Sequence, residues 1–337
     1  MLQWCKMFDD AIKTISAADK IIVIQAENPD GDSLGSALAL EEVLGDLGKD
    51  VILHCPVDIP KYLRYIPGWD RVVSEFDTTA DLAIIVDTTA DVLLSKTLEI
   101  SGVRHFLESH PVIVIDHHTE SETTLTFPHT LVSFDAVSTS HVILRLAEEA
   151  RWTINQTAAE AMLAALLSDS LGLTTPNVTS ETYEAAATLT QLGAMTATIE
   201  ERRREYMKKA PEILAYKGRL LERIEYYLDG ALAVVRIPFD EIERYSDKYN
   251  PSVLVLDEMR LVEGVELAVA IKTYPDGKLT GKLRANIPIA EQVAGYFGGG
   301  GHVYASGFRI YESVDAVIPE LLDATQKGLQ SYYAKTS

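Results

Sequence analysis

Val114-Ile115-Asp116-His117-His118 closes an apolar run that begins at Pro111 and turns it abruptly into a carboxylate and two imidazoles. A short, uninterrupted apolar run reads as a strand buried on both faces, and in an open α/β sheet the carboxyl end of such a strand is where ligands bind. Two other apolar runs end in the same way. Residues 20–27 lead into Asn28-Pro29-Asp30-Gly31-Asp32-Ser33, and Leu82–Val86 leads into Asp87-Thr88-Thr89. Three buried strands that deliver carboxylates and imidazoles to one sheet edge describe a metal site with room for two ions. The donor mixture suits manganese, iron or zinc more than calcium.

The 337 residues suffice for two ordinary domains with a sizeable core, and 47% apolar content with 24% charged residues is globular. The longest apolar runs are about strand length, so no membrane span or membrane partner is expected. The amino terminus, Met1-Leu2-Gln3-Trp4-Cys5-Lys6, lacks the basic-then-apolar order of a signal peptide. Cys5 and Cys55 form neither a metal-spaced pair nor a disulfide framework, and the chain reads as cytoplasmic. A formal charge of -20 argues against a general nucleic-acid coat, whose binding depends on neutralising phosphates. It leaves open an enzyme that takes short or mononucleotide substrates.

The first half alternates strand-like runs (21–27, 51–54, 82–87 and 112–116) with helix-like runs (34–47, 140–150 and 158–167), a pattern that predicts a mostly parallel sheet covered on both faces. Ser33 suits the N-cap of the first helix. Residues 196–222 read as a charged helical linker containing Arg202-Arg203-Arg204. That basic cluster could touch a polyanion, but such runs are more often a solvated helix face. Strand-like runs follow at 232–237, 253–257, 265–272 and 279–284, then helices at 289–297 and 314–329, with a turn signal at Tyr274-Pro275-Asp276-Gly277-Lys278. The expected organisation is an α/β domain over 1–195, the linker over 196–222, and a smaller α+β domain over 223–337.

Each chemical motif has a plainer reading beside it. Asp30-Gly31-Asp32 could be an ordinary surface turn, but it follows a buried strand and precedes a capped helix. Asp87 could cap the next segment, yet a carboxylate at a sheet edge is costly without a cation or hydrogen bonds. Asp116, His117 and His118 resist a structural explanation, because adjacent histidines rarely both find buried partners. Asp169 ends an apolar helix, where a carboxylate opposes the macrodipole, and this is a reason to suspect a ligand. Gly298-Gly299-Gly300-Gly301-His302 removes successive side chains, so a phosphate could approach backbone N–H groups closely; a flexible linker is the alternative.

Taken together, these residues resemble the DHH phosphoesterase family, in the branch with a DHH-associated carboxy-terminal domain. That branch includes nanoRNases, 3'-phosphoadenosine-5'-phosphate phosphatases and cyclic-dinucleotide phosphodiesterases. The resemblance runs roughly from Ile21 to Phe308. Residues 28–36 look like the first motif, Val86-Asp87-Thr88 the second, Asp116-His117-His118 the third and Ser168-Asp169-Ser170 the fourth. Lys282-Leu283-Arg284 and residues 298–308 look like the substrate motifs of the second domain. The resemblance implies that Asp30, Asp32, Asp87, His117 and Asp169 bind two ions, usually manganese. Asp116 and His118 would serve catalysis, with His118 on the scissile phosphate or a bridging water. Ser138 and Thr139 would lie at a helix N-terminus near the phosphate. Arg284, Gly299, Gly300, Gly301 and His302 would grip the rest of a nucleotide across an inter-domain cleft.

Two departures bear on this expectation. The family has a metal-binding histidine four residues before the first motif aspartate; Ala26 stands there and cannot ligate, so one metal site is expected to be weak or absent. Gln25 and Glu27 should point to the opposite face in an extended segment, although a bulge could bring either in. Leu173-Thr174-Thr175 replaces an aromatic-Arg pair. The leading expectation is metal-dependent hydrolysis of short RNA or DNA, linear or cyclic dinucleotides, or nucleotide 3'-phosphates, in a homodimer. The alternatives are an inorganic pyrophosphatase and a non-catalytic nucleotide-binding protein.

Overall fold

The structure, a computed structural model, describes residues 2–118, 123–247 and 249–336. The chain divides into two compact units, Met1–Lys208 and Lys209–Ser337. None of its described helices is long and apolar enough to cross a membrane.

The first unit runs α1 (Leu2–Ala17), β1 (Lys20–Ile24), α2 (Gly31–Asp46), β2 (Asp50–His54), β3 (Leu82–Val86), α3 (Ser95–Glu99), α4 (Val103–Ser109), β4 (Val112–Asp116), β5 (Thr130–Ser133), α5 (Thr139–Ala150), α6 (Gln156–Asp169), α7 (Ser180–Gln191) and α8 (Thr196–Tyr206). Its five strands form a parallel sheet in the order β2-β1-β3-β4-β5. Successive side chains alternate faces. Ile21, Val23, Ile84 and Ile115 therefore pack into the cluster shared with α2, α5 and α6, while Ile22, Ile24, Ile85 and Val114 pack against Val103, Phe106 and Leu107 of α4. Burial on both faces is why β1, β3 and β4 read as continuous apolar runs. The strand order reverses between β1 and β3, so the crevice beyond their carboxyl ends is the switch point at which open sheets take ligands.

Helix α2 starts earlier than Ser33. Asp30 is its N-cap, accepting from the amides of Asp32 and Ser33, and Ser33 lies inside the helix. Asp30 wins because its carboxylate reaches two orphan amides of the first turn. Two glycines let α2 lie close against α6. A Cβ on Gly31 would fall 2.2 Å from Ser168 Oγ, and one on Gly35 would fall 2.7 Å from the Ala161 carbonyl oxygen. The basic stretch of α8 is taken up in ion pairs, Arg202 with Glu160 and both Arg203 and Arg204 with Glu200.

The second unit runs α9 (Pro211–Glu222), β6 (Glu225–Tyr227), β7 (Leu232–Ile237), α10 (Phe239–Tyr245), α11 (Pro251–Arg260), β8 (Leu267–Thr273), β9 (Leu279–Ala285), α12 (Ala290–Tyr296), β10 (Gly300–His302), β11 (Ala305–Ile310) and α13 (Val314–Thr336). Its sheet is mixed, in the order β10-β11-β9-β8-β7-β6, and only β7 and β8 pair in parallel. One face packs Val234, Val269 and Leu283 with residues of α12 and α13; the other packs Val235 and Ala270 with α9, α10 and α11. Residues 253–257, expected as a strand, lie within α11. Asn250 caps it through the Ser252 amide, Pro251 occupies its first turn, and Leu254, Val255, Leu256 and Met259 are buried. A four-residue apolar run has no legible period, and here the cap decides the outcome.

Candidate metal centre

Six side chains converge at the switch point. Asp30 and Asp32 come from the start of α2, Asp87 from the residue after β3, Asp116 from the end of β4, His117 from the residue after it, and Asp169 from the last residue of α6. His118 follows on the open side. Asp87 holds a left-handed backbone (φ 63°), which turns its carboxylate back over the strand end; aspartate tolerates that region better than most residues.

The carboxylates are fixed by donors from the N-terminus of α5. Asp32 Oδ2 accepts from the Thr139 amide at 2.6 Å, and its Oδ1 accepts from the Ser140 amide and the Ser36 hydroxyl, both at 3.2 Å. The Thr139 hydroxyl donates to Asp87 Oδ1 at 3.0 Å. Thr139 therefore organises the carboxylates. Ser138 is buried and caps α5, its Oγ accepting from the His141 amide and sharing a hydrogen bond with the Ser140 hydroxyl. On the far side, Asp116 Oδ1 accepts from the His117 and His118 amides and from His118 Nδ1, the last at 2.8 Å.

So many carboxylates in one place raise one another's proton affinity. Burial, then Asp169 and Asp30, push Asp32 up to about 7 against the pull of the Thr139 and Ser140 amides. Burial, with Asp32, Asp30 and Asp116 adding to it, raises Asp87. Burial raises Asp169 as well. Asp116 behaves in the opposite way: burial would raise it, but the His118 hydrogen bond and charge hold it below the usual carboxylate value. The same hydrogen bond raises His118. Burial and the neighbouring His118 lower His117, which favours its neutral form.

His117 Nδ1 lies 3.2 Å from the Ala136 carbonyl oxygen, so in the neutral ring Nδ1–H donates there and the lone pair sits on Nε2. That Nε2 is buried with no hydrogen-bond partner, and so is Asp116 Oδ2. Around Nε2 stand Asp169 Oδ2 at 3.5 Å, Asp87 Oδ1 at 3.7 Å and Asp32 Oδ2 at 3.9 Å. Two donors each about 2.0–2.2 Å from a tetrahedral ion lie roughly 3.3–3.6 Å apart, so these separations are close to the edges of a coordination shell. The residues fit a divalent cation.

Ala26 has nothing in its place. Glu27 is turned away, its carboxylate accepting from the Ser95 hydroxyl and the Lys96 amide. Gln25 is fully buried, with Oε1 against the Ser33 hydroxyl. Asp30 belongs to neither of the two groupings of metal-capable side chains among the described residues, Asp87-Asp116-His117-His118 and Asp32-His117-Asp169.

The remaining expected residues lie in the second unit. Arg284 donates to the Leu283 carbonyl oxygen. Gly300, Gly301 and His302 form β10, paired with β11. A Cβ on Gly299 would fall 2.2 Å from the Gly307 carbonyl oxygen, and Gly301 has φ 141°, so the hairpin itself requires both glycines. Sequence reasoning passed over Gly35, for which the Gly-x-x-x-Gly spacing (Gly31, Gly35) at the start of a buried helix was the available signal.

Residues 20–166 match the family model described as DHH family, N-terminal domain. The chain is 26% identical over 308 residues to the bifunctional oligoribonuclease and PAP phosphatase NrnA of Thermus thermophilus, covering 90% of this chain and 88% of that protein. It is 24% identical over 323 residues to NrnA of Bacillus subtilis, covering 94% and 97%. The cyclic-di-AMP phosphodiesterase GdpP of Bacillus subtilis is 24% identical over 356 residues, which span 96% of this chain and 51% of GdpP. Among solved structures, an exopolyphosphatase-related protein from Bacteroides fragilis superposes with a TM-score of 0.79 at 23% identity, covering 97% of this chain and 96% of that one, a likeness of fold. Across residues 20–166 the chain is thus similar to the N-terminal domain of the DHH family, and the named relatives extend the similarity over most of its length.

Proposed function

We propose that this chain is a divalent-metal-dependent phosphoesterase acting on short oligonucleotides, linear or cyclic dinucleotides, or nucleotide 3'-phosphates. The observation that carries the reading is the pair of buried, partnerless atoms, His117 Nε2 and Asp116 Oδ2, within a carboxylate cluster at the sheet's switch point. A cluster of this kind is stable only with a cation or a proton in it. The relatives named for oligoribonuclease, PAP phosphatase and cyclic-di-AMP phosphodiesterase activity support the substrate class.

Asp32, Asp87, His117 and Asp169 would hold one strongly bound ion, and manganese suits one imidazole among carboxylates. His117 has a single lone pair to give, and Ala26 has none, so a second ion at Asp30 is weak or absent. When bound, the ion supplies positive charge for the phosphoryl oxygens and makes water more acidic. The chain's own residues do the rest. Thr139 and Ser140 fix Asp32 and Asp87, and the Ala136 carbonyl sets the His117 tautomer. Asp116 orients His118 and keeps it protonated toward neutral pH, so that the exposed ring can donate to a phosphate oxygen as charge builds there. Arg284 and His302 of the second unit are proposed nucleotide contacts.

Ala26 also favours a second reading, nucleotide binding with little or no turnover. The two separate in an assay of a short 5'-labelled RNA, a cyclic dinucleotide and 3'-phosphoadenosine-5'-phosphate, with manganese and a His117→Ala control. Turnover lost in the control supports the phosphoesterase. Nucleotide binding with no turnover under any divalent metal supports the alternative. Fast hydrolysis of pyrophosphate alone contradicts both.

A further inference from the structure

Away from the carboxylate cluster, α1, α5 and α7 of the first unit frame a cavity of about 690 Å³. That is room for a small organic ligand. Its floor is apolar: Phe8 of α1, Phe134 after β5 and Leu144 of α5 line it, and all three are buried. His141 of α5 lines it as well and stands edge-on to the Phe134 ring, with centroids 5.4 Å apart. The histidine is 4% exposed, and its Nδ1 is buried with no hydrogen-bond partner. Burial holds the imidazole below its ordinary value, although Glu181 pulls the other way. The ring is therefore neutral and carries one N–H and one lone pair. Buried polar atoms are normally paired, so an imidazole at the floor of a cavity with a ring nitrogen unpaired is short of a partner.

The rim is acidic. Five carboxylates line the cavity against one cation, Arg145, which is already engaged 2.8 Å from Glu148 and 4.0 Å from Glu149. Asp135, Glu181 and Glu184 are exposed, and the cavity wall offers them no further cation. Glu181 and Glu184 stand three residues apart on α7 and so share a face. In a chain of net charge -20 an acidic rim alone is a solvated surface; the imidazole at depth is what sets this one apart. A single metal ion does not fit, because none of these side chains belongs to a grouping of metal-capable groups among the described residues. The distribution suits a longer cation instead. An ammonium at depth finds a lone pair and aromatic rings, methylenes cover the apolar floor, and a second ammonium meets the rim carboxylates.

We propose that the cavity between α1, α5 and α7 is a second ligand site, for a linear aliphatic polyamine, with one ammonium donating to the His141 imidazole and another held by Glu181 and Glu184. The site stands apart from the phosphoesterase reading, since none of its lining side chains belongs to the metal centre.

Titration calorimetry of the full-length, manganese-loaded protein with spermidine tests this, at about 0.15 M salt so that general attraction to a negative chain is screened. Thermal melts serve as the check on folding. Wild type should bind spermidine saturably, with one equivalent per chain. Glu181→Gln/Glu184→Gln should weaken it roughly tenfold, the loss of two partly exposed ion pairs. His141→Phe should also weaken it roughly tenfold, the effect of losing one hydrogen bond to a charged group. Asp240→Asn/Glu243→Gln removes the same charge from exposed positions of α10 and should bind as wild type. The glutamate pair is exposed, so it decides the question even where His141→Phe fails to fold. A folded wild-type protein that shows no saturable binding overturns the site, as does wild-type affinity in either folded cavity variant. Equal weakening in the cavity and α10 variants overturns it too, because it marks general counterion attraction.

Discussion

Asp32 sets how the metal-free protein responds to pH. Its carboxylate is 1% exposed and pushed up to about 7 by burial and by Asp169 and Asp30, from an ordinary value of 3.8. A carboxylate with a raised folded-state pKa holds its proton more tightly folded than unfolded. The stability it contributes is therefore present at low pH and lost as pH rises through the folded value. Between pH 6 and pH 8 the unfolded carboxylate stays ionised and only the folded one titrates. For a folded pKa of about 7 the folding constant changes about tenfold over that interval, about 1.4 kcal/mol, or roughly 3–6 °C in Tm for a domain of this size. His117, lowered by burial and by His118, works in the opposite direction near and below its unfolded value. The comparison that isolates Asp32 is wild type against Asp32→Asn. Chelator-treated protein is melted at pH 6, 7 and 8: wild type should lose stability toward pH 8 by about this amount relative to the variant. With manganese present the trend should reverse, because the cation replaces the proton. Parallel pH profiles for the two metal-free proteins would refute the account of a crowded, proton-stabilised cluster.

Other perturbations test separate links. Gly35→Ala drives a methyl against the Ala161 carbonyl oxygen and Ala165 Cβ (2.7 and 2.8 Å) and should cost about 1–3 kcal/mol in urea unfolding; an unchanged midpoint would show that α2 and α6 can part freely. Glu27→Ala removes the carboxylate that receives Ser95 and Lys96 and should cost about 1 kcal/mol while leaving manganese affinity untouched. A fall in metal affinity would mean that Glu27 stands in for the residue missing at position 26. Ala26→His should raise the manganese count from about one toward two per chain by elemental analysis, and no change would show that Ala26 does not limit the site. Asp87→Gly removes a buried carboxylate and a left-handed non-glycine residue. The metal-free Tm should rise by a few degrees while manganese ceases to stabilise the protein; a lower metal-free Tm would contradict the assignment of strain there.

The parts of the fold legible in the sequence are those whose burial is one-dimensional. β1, β3 and β4 are covered on both faces, so each is an unbroken apolar run, and each ends where the backbone reaches the polar crevice. The clustering of Asp32, Asp87, His117 and Asp169 follows from those strand ends and from one helix end. β5 escaped notice because its four residues, Thr130-Leu131-Val132-Ser133, include only two apolar ones. Residues 253–257 misled because four successive apolar residues before Asp257 fit a strand or a buried helix equally well, and the deciding signal, Asn250-Pro251, lay outside the run. The start of α2 was placed late because Ser33 and Asp30 are both good caps, and only the folded turn shows which carboxylate or hydroxyl reaches the free amides. Thr139 acts on a carboxylate 107 positions away in the chain, a proximity that no local pattern encodes.

The most direct test of the central claim follows metal occupancy and turnover on the same sample. Metal-free protein is titrated with manganese while bound ion and hydrolysis of a 5'-labelled dinucleotide are recorded together. The account requires no turnover without metal, activity rising with the first equivalent bound, and loss of both in His117→Ala. Hydrolysis that persists in the chelator-treated protein, or that is unchanged in His117→Ala, would contradict it.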